Sequence, residues 1–174
     1  MLVDTHCHLT FEPLWSDLDG VLARARDRGV ERVVVPAYDR ASWERVRRVA
    51  ERTGVRAALG LHPWAAAEPF DAEELSRALA DCGAVAVGEI GLDFKVAGAD
   101  RERQLALLRA QLEVAAAHDL PAVLHCRGAF EELVDQLAEL RPLGLRAVVH
   151  AFGRGPELSR ALADCGAVAV GEIG

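Results

Sequence analysis

Short, nearly continuous apolar runs alternate along the chain with longer stretches in which apolar residues recur every three or four positions. Runs at Val33–Val35, Val55–Gly60, Ala84–Gly88, Ala122–His125 and Arg146–His150 predict strands, as does a first run leading into His6 and His8. Their lack of polar alternation marks strands buried on both faces. Between them the spacing predicts helices over Ser16–Arg28, Ala41–Thr53, Ala72–Cys82, Arg101–His118 and Phe130–Leu140. In the fourth, Leu105, Leu108, Leu112 and Ala115 form one apolar stripe with charges opposite, as a helix lying on a sheet requires. Gly29, Gly54 and Gly83 punctuate helix ends, Ser16 is a candidate N-cap, and Pro121 opens the fifth strand.

Strict alternation of strand and helix implies parallel pairing with right-handed crossovers. An open doubly wound sheet would carry a glycine-rich phosphate loop after its first strand, where this chain has His6-Cys7-His8. The expected fold is therefore α/β, a (β/α)8 barrel of the TIM type, which gathers polar residues from many strand ends into one site. Linkers and low-complexity tracts are absent, so one domain is expected over 1–174. Residues 74–91, ELSRALADCGAVAVGEIG, recur letter for letter at 157–174. A helix-plus-strand unit suits both places, but shared architecture does not explain identity at every position.

At 174 residues the chain has the size of one ordinary domain. A hydrophobic fraction of 51% with 27% charged residues excludes a disordered chain. No apolar run approaches the roughly 18–20 residues of a membrane span. The first residues lack a basic segment and a long apolar one, so no secretory signal is expected. Cys7, Cys82, Cys126 and Cys165 are scattered without a C-x-x-C pair, which suits a reducing cytoplasm. A net charge of −7 argues against a broad basic surface for nucleic acid, but bound metal can supply positive charge locally.

The histidines carry the strongest chemical signal. His6 and His8 close the first predicted strand, His62 follows the third, His125 ends the fifth and His150 the sixth, while Glu89 ends the fourth. Alternate strand residues face the same way, so His6 and His8 can both point into the barrel mouth. A lone strand-end histidine is ordinarily a structural hydrogen-bonding residue. Five ionisable groups at one rim would each need a partner, and imidazole with carboxylate suits zinc, manganese or iron-type ions. Four histidines with a carboxylate exceed the three ligands usual for one catalytic zinc, which predicts two ions bridged by Glu89. His62 is a candidate substrate-phosphate contact or a residue that shapes its loop, with the substrate role preferred, Arg127 a phosphate clamp or a surface cation, and Asp93 a partner that orients a histidine or caps the next helix. Cys7 and Cys126 are read as small buried residues.

VDTHCHL at 3–9, GLHP at 60–63, GEIGLDF at 88–94, LHCR at 124–127 and HAFG at 150–153 together resemble the TatD family of metal-dependent hydrolases. The resemblance implies a (β/α)8 barrel, two divalent ions (Mg, Mn or Zn) and phosphoester hydrolysis, commonly as a DNA exonuclease. On this likeness His6 and His8 match first-ion ligands, Glu89 the bridging and catalytic ligand, and His125 and His150 second-ion ligands. DNA or another phosphoester is the implied substrate, with no membrane and no obligate protein partner. The family includes members or proposed members acting on other esters, among them aminoacyl-tRNA. An amidohydrolase-type ester or amide hydrolase and an inactive metal-binding fragment are the alternative functions. The family's further ligand, an Asp of a T-D pair ending the eighth strand, has no counterpart. Six βα pairs and one extra strand near Ala167–Gly171 are expected, against about 250 residues for a full barrel. The sequence thus predicts a barrel truncated after its seventh strand, with open edges and the question whether Glu172 replaces the missing Asp.

Overall fold

The computed structural model describes residues 1–171; Glu172, the possible replacement ligand, lies outside the described residues. Seven strands form one sheet in sequence order, every neighbouring pair parallel. They are β1 (Leu2–Asp4), β2 (Val30–Pro36), β3 (Val55–Leu59), β4 (Ala86–Asp93), β5 (Ala122–Arg127), β6 (Ala147–Val149) and β7 (Ala167–Ala169). Each of the first six is followed by a helix: α1 (Leu18–Asp27), α2 (Arg40–Ala50), α3 (Ala72–Cys82), α4 (Arg101–Ala117), α5 (Phe130–Leu140) and α6 (Pro156–Asp164).

The sheet curls. In a flat sheet β1 and β6 would lie five strand spacings apart, roughly 24 Å at about 4.8 Å each. Yet the rings of His6, just past β1, and His150, just past β6, stack with centroids 3.9 Å apart. Only a barrel-like arc brings those ends together, and the chain follows a (β/α)8 barrel as far as its seventh strand.

Helix ends follow from local chemistry. Asp39 and Ser42 form a reciprocal capping box at α2, the Asp71 carboxylate accepts from Glu73 and Glu74 N–H at α3, and Asp100 accepts from Arg103 N–H at α4. The predicted spans of α3 and α5 are those observed. Ser16 is a correction. It lies in a 3-10 turn over Trp15–Asp17, its hydroxyl donates to the Pro13 carbonyl at 2.8 Å, and α1 begins only at Leu18. The turn satisfies Ser16 locally before the helix starts.

The fourth strand is also displaced from its prediction. It starts at Ala86 and runs through Gly88-Glu89-Ile90-Gly91 to Asp93, with all eight residues buried. Its glycines, Gly88 and Gly91, permit close approach to β5. A Cβ on Gly88 would lie 2.7 Å from the Val123 Cβ, and Gly91, at φ +140°, abuts the His125 backbone.

β1 and β7 are edge strands, and a cavity of about 160 Å³ separates Asp4–His6 from Val148, His150 and Val170. Leu2, Val3, Val168 and Val170 are exposed along these edges. Unpaired edges with apolar side chains template further pairing. The 174-residue chain is accordingly expected to elute above its 18.7 kDa mass by size exclusion with light scattering. Val168→Lys should shift it towards monomer; a monodisperse monomer of the parent chain would refute the expectation.

Candidate metal centre

Glu89 stands at the centre of the site, anchored in mid-strand by its N–H bond to the Ala37 carbonyl at 2.8 Å. Its side chain is buried, and five imidazoles surround the carboxylate. Oε2 lies 3.3 Å from His6 Nε2 and 3.1 Å from His8 Nε2. Oε1 lies 2.7 Å from His150 Nε2, 3.2 Å from His125 Nδ1 and 3.5 Å from His62 Nε2. Burial pushes the Glu89 carboxyl up, but hydrogen bonds with His125, His150, His6 and His62 outweigh it and hold the group well below the usual carboxylate range.

The placements differ from the sequence reading in detail. β1 ends at Asp4, so His6 and His8 reach inward from the following loop rather than as alternate residues of a strand. The loop is tied down where Asp4 Oδ1 accepts from His6 N–H at 3.1 Å and Cys7 N–H donates to the Val34 carbonyl at 3.0 Å. His125 lies within β5, His150 directly follows β6, and Glu89 is interior to β4 rather than at its end. His118, the sixth histidine, occupies the C-terminal cap of α4.

The donor set fits a divalent cation. His6 Nε2 and His8 Nε2 face each other at 3.1 Å, and both face Glu89 Oε2, while both Nδ1 atoms are buried without a hydrogen-bond partner. The two Nε2 atoms and Oε2, converging on one point, form a donor set that a shared metal ion would satisfy. Two triads, His6–Glu89–His150 and His62–Glu89–His125, offer ligand atoms within 4.8 Å of one another. The centre opens into a cavity of about 380 Å³, walled also by Phe11, Tyr38 and Trp64.

A second layer holds this arrangement. Asp93 Oδ2 lies 3.5 Å from His125 Nε2 and accepts the Trp64 indole N–H at 3.2 Å, while Oδ1 accepts Lys95 N–H at 3.0 Å. Burial opposes its ionisation, yet the Trp64 and Lys95 bonds, with the nearby charges of His125 and Arg127, lower its pKa. The cap of α4 is Asp100 rather than Asp93, and Asp93 lies beside His125 Nε2 without hydrogen-bonding to it. His62 is 3% exposed, and burial lowers its pKa against the pull of Glu89. Its Nδ1 accepts Trp64 N–H at 3.2 Å, which leaves the ring proton of the neutral form on Nε2, facing Glu89. Arg127 ends β5 and is exposed, apart from the carboxylate contacts of the centre.

Cys7 and Cys126 are half-buried rather than buried, packed against the edge of the core. Burial foremost raises their pKa values, to about 11 and about 12, so neither thiol is a nucleophile at neutral pH.

Three supporting residues escaped the sequence reading. Buried Gln104 and Gln111 of α4 each grip the backbone N–H and C=O of one residue with the two ends of the side-chain amide. Gln104 holds Asp93 N–H and C=O at 2.8 and 3.0 Å, and Gln111 holds Leu61 N–H and C=O at 2.7 and 3.0 Å. The indole N–H of Trp43 donates to the Gly60 carbonyl at 2.9 Å. The signal was present: Gln104 and Gln111 share the helix face of Leu108 and Ala115, where a polar side chain must find a partner.

The chain matches the TatD related DNase family over residues 3–174. It is 41% identical over 155 residues to the uncharacterized metal-dependent hydrolase YjjV of Escherichia coli K12, covering 86% of this chain and 60% of that protein. It is 33% identical over 168 residues to the 3'-5' ssDNA/RNA exonuclease TatD of Erwinia tasmaniensis, covering 94% of this chain and 65% of that one. The crystal structure of E. coli YjjV superposes with a TM-score of 0.89 at 36% identity over 97% of this chain and 66% of that chain. The chain thus spans less than two thirds of the length of these relatives. Sequence motifs, fold and centre lead to one assignment: the chain belongs to the TatD related DNase family.

Proposed function

We propose that the protein is a divalent-metal-dependent phosphodiesterase, a cytoplasmic deoxyribonuclease acting on a free end of single-stranded DNA, whose chemistry lies in one domain over 1–174. One observation carries the reading: a single buried carboxylate, Glu89, with separate histidines on each oxygen. A bridging carboxylate puts one oxygen on each of two ions. Division by oxygen pairs His6 with His8 and His125 with His150; mutual proximity instead groups His6 with His150 and His125 with His62. We favour the first division, because the proton on His62 Nε2 makes it a donor rather than a ligand. Bound Mg, Mn or Zn would supply an activated water and charge neutralisation at the phosphate.

The remaining roles belong to the chain's own residues. Glu89, His6, His8, His125 and His150 would hold the cations, with Asp93 placed 3.5 Å from His125 Nε2 to orient it. His62 Nε2–H is a donor poised for a phosphoryl oxygen, and Arg127 offers the rim a cation for the strand backbone. The relative named an ssDNA/RNA exonuclease agrees with this substrate class.

The test is metal content of the dialysed chain, followed by nucleotide release from single-stranded DNA, RNA and a carboxylic ester panel with Mg²⁺, Mn²⁺ or Zn²⁺. Metal-dependent release from DNA is expected. Ester turnover without phosphodiester turnover would replace the reading with an amidohydrolase-type activity, and bound metal with no turnover would make this chain a metal-binding fragment.

A further inference from the structure

Trp64 is exposed to 61%, yet its orientation is fixed from three sides. It lies in the 3-10 turn Pro63–Ala65, and its backbone N–H donates to His62 Nδ1. Its indole N–H is tied inward to the buried Asp93 carboxylate at 3.2 Å. The ring stands edge-on to His62, with centroids 4.3 Å apart and planes at 65°. The polar edge is therefore satisfied inside while much of the ring stays in water. Leaving so large an apolar surface open forgoes burial free energy, which singles the position out for contact with a ligand.

Its position says which contact. Trp64 walls the metal-centre cavity and also a neighbouring groove of about 260 Å³, lined by Ala67, Val96, Ala97 and Arg103. A strand whose phosphodiester sits at Glu89 and whose next residue enters that groove must cross the indole. The groove walls are mostly small and apolar, with the Arg103 cation and, beside it, the Asp100 carboxylate, one oxygen of which is taken up by the Arg103 backbone N–H. Lys95, the only lysine of the chain, and Arg127 are exposed nearby in a protein of net charge −7. Flat π-surface beside phosphate-binding groups is how single-stranded nucleic acid is held without sequence readout. A ring already fixed by its N–H bond loses little entropy on stacking.

We propose that Trp64 is the stacking platform for the nucleobase adjoining the scissile phosphodiester, directing the strand from the metal centre into the Ala67–Arg103 groove. The proposal rests on the phosphodiesterase reading above and adds a substrate requirement to it: a base, not only a phosphate, must be present next to the cleaved bond.

The test is a binding comparison at fixed Mn²⁺ between a phosphorothioate pentathymidylate and a phosphorothioate oligomer of equal length without bases. The parent chain is expected to bind the base-containing oligomer about tenfold more tightly, the order expected of one stacked base. Its indole fluorescence should be quenched by that oligomer alone. Trp64→Leu should reduce the preference to within about twofold and remove the quenching; any loss of metal affinity from the broken Asp93 bond acts on both oligomers alike and leaves their ratio as the readout. Trp64→Phe, which retains a π-face, should recover most of it. Equal affinity of the parent for the two oligomers, or equal losses for both in Trp64→Leu, would overturn the platform while leaving the phosphodiesterase reading standing. Failure of the parent to bind either oligomer would overturn both.

Discussion

Glu89→Ala is expected to strip the centre of divalent metal. The carboxylate lies within 3.5 Å of a nitrogen on each of five histidines, so its removal takes away the anion that, in the proposed two-ion centre, would balance the cations and join the two halves of the site. Loss of a residue that merely orients a ligand costs about 10–100-fold in metal affinity. Loss of a ligand shared between ions should exceed that range. His62→Ala provides the contrast: with its ring proton on Nε2 it serves as a donor, and its removal should leave metal content near that of the parent. Elemental analysis after dialysis, with calorimetric titration of Mn²⁺ or Zn²⁺, measures both variants. Equal metal content in Glu89→Ala and the parent would sink the bridging role.

Gly91→Ala should have the largest effect on the fold itself. Gly91 pairs with His125 in the β4–β5 ladder at φ +140°, a conformation that L side chains rarely adopt. An added Cβ would fall far inside van der Waals contact distance of the His125 carbonyl oxygen. Backbone cannot yield there without breaking the ladder between the two strands that carry Glu89 and His125. The expected loss is about 4 kcal/mol or more, at the far end of single-site effects and a large part of a domain's stability. Gly83→Ala is the control. Gly83 is also left-handed, at φ +59°, but a Cβ there meets nothing within 4 Å, so the cost should stay near about 1–2 kcal/mol. Thermal melts by circular dichroism compare them. A Gly91→Ala chain melting within a few degrees of the parent would refute the close-approach argument.

Much of the architecture was legible from local chemistry. Apolar spacing located α3 and α5 to the residue, because capping and periodicity act within one or two turns. Histidines after four different strands pointed to one rim, because a parallel barrel brings strand ends together. What was illegible depended on neighbours distant in sequence. That Gly88–Asp93 is strand rather than loop depends on β5, and that Trp64 remains open depends on Asp93 holding its N–H.

The duplicated segment separates the two kinds of information within one molecule. In both copies the same letters form a helix, stop it at a left-handed glycine, Gly83 at φ +59° and Gly166 at φ +84°, and enter a strand. That much the eighteen residues determine by themselves. In the first copy the strand begins at Ala86 and runs eight residues between β3 and β5, burying Val87 completely. In the second the strand is Ala167–Ala169, equivalent to Ala84–Ala86, and Val170, the counterpart of Val87, is 42% exposed. Register and burial are decided by the hydrogen-bonding partners on either side, and among the described residues β7 has one such neighbour where β4 has two.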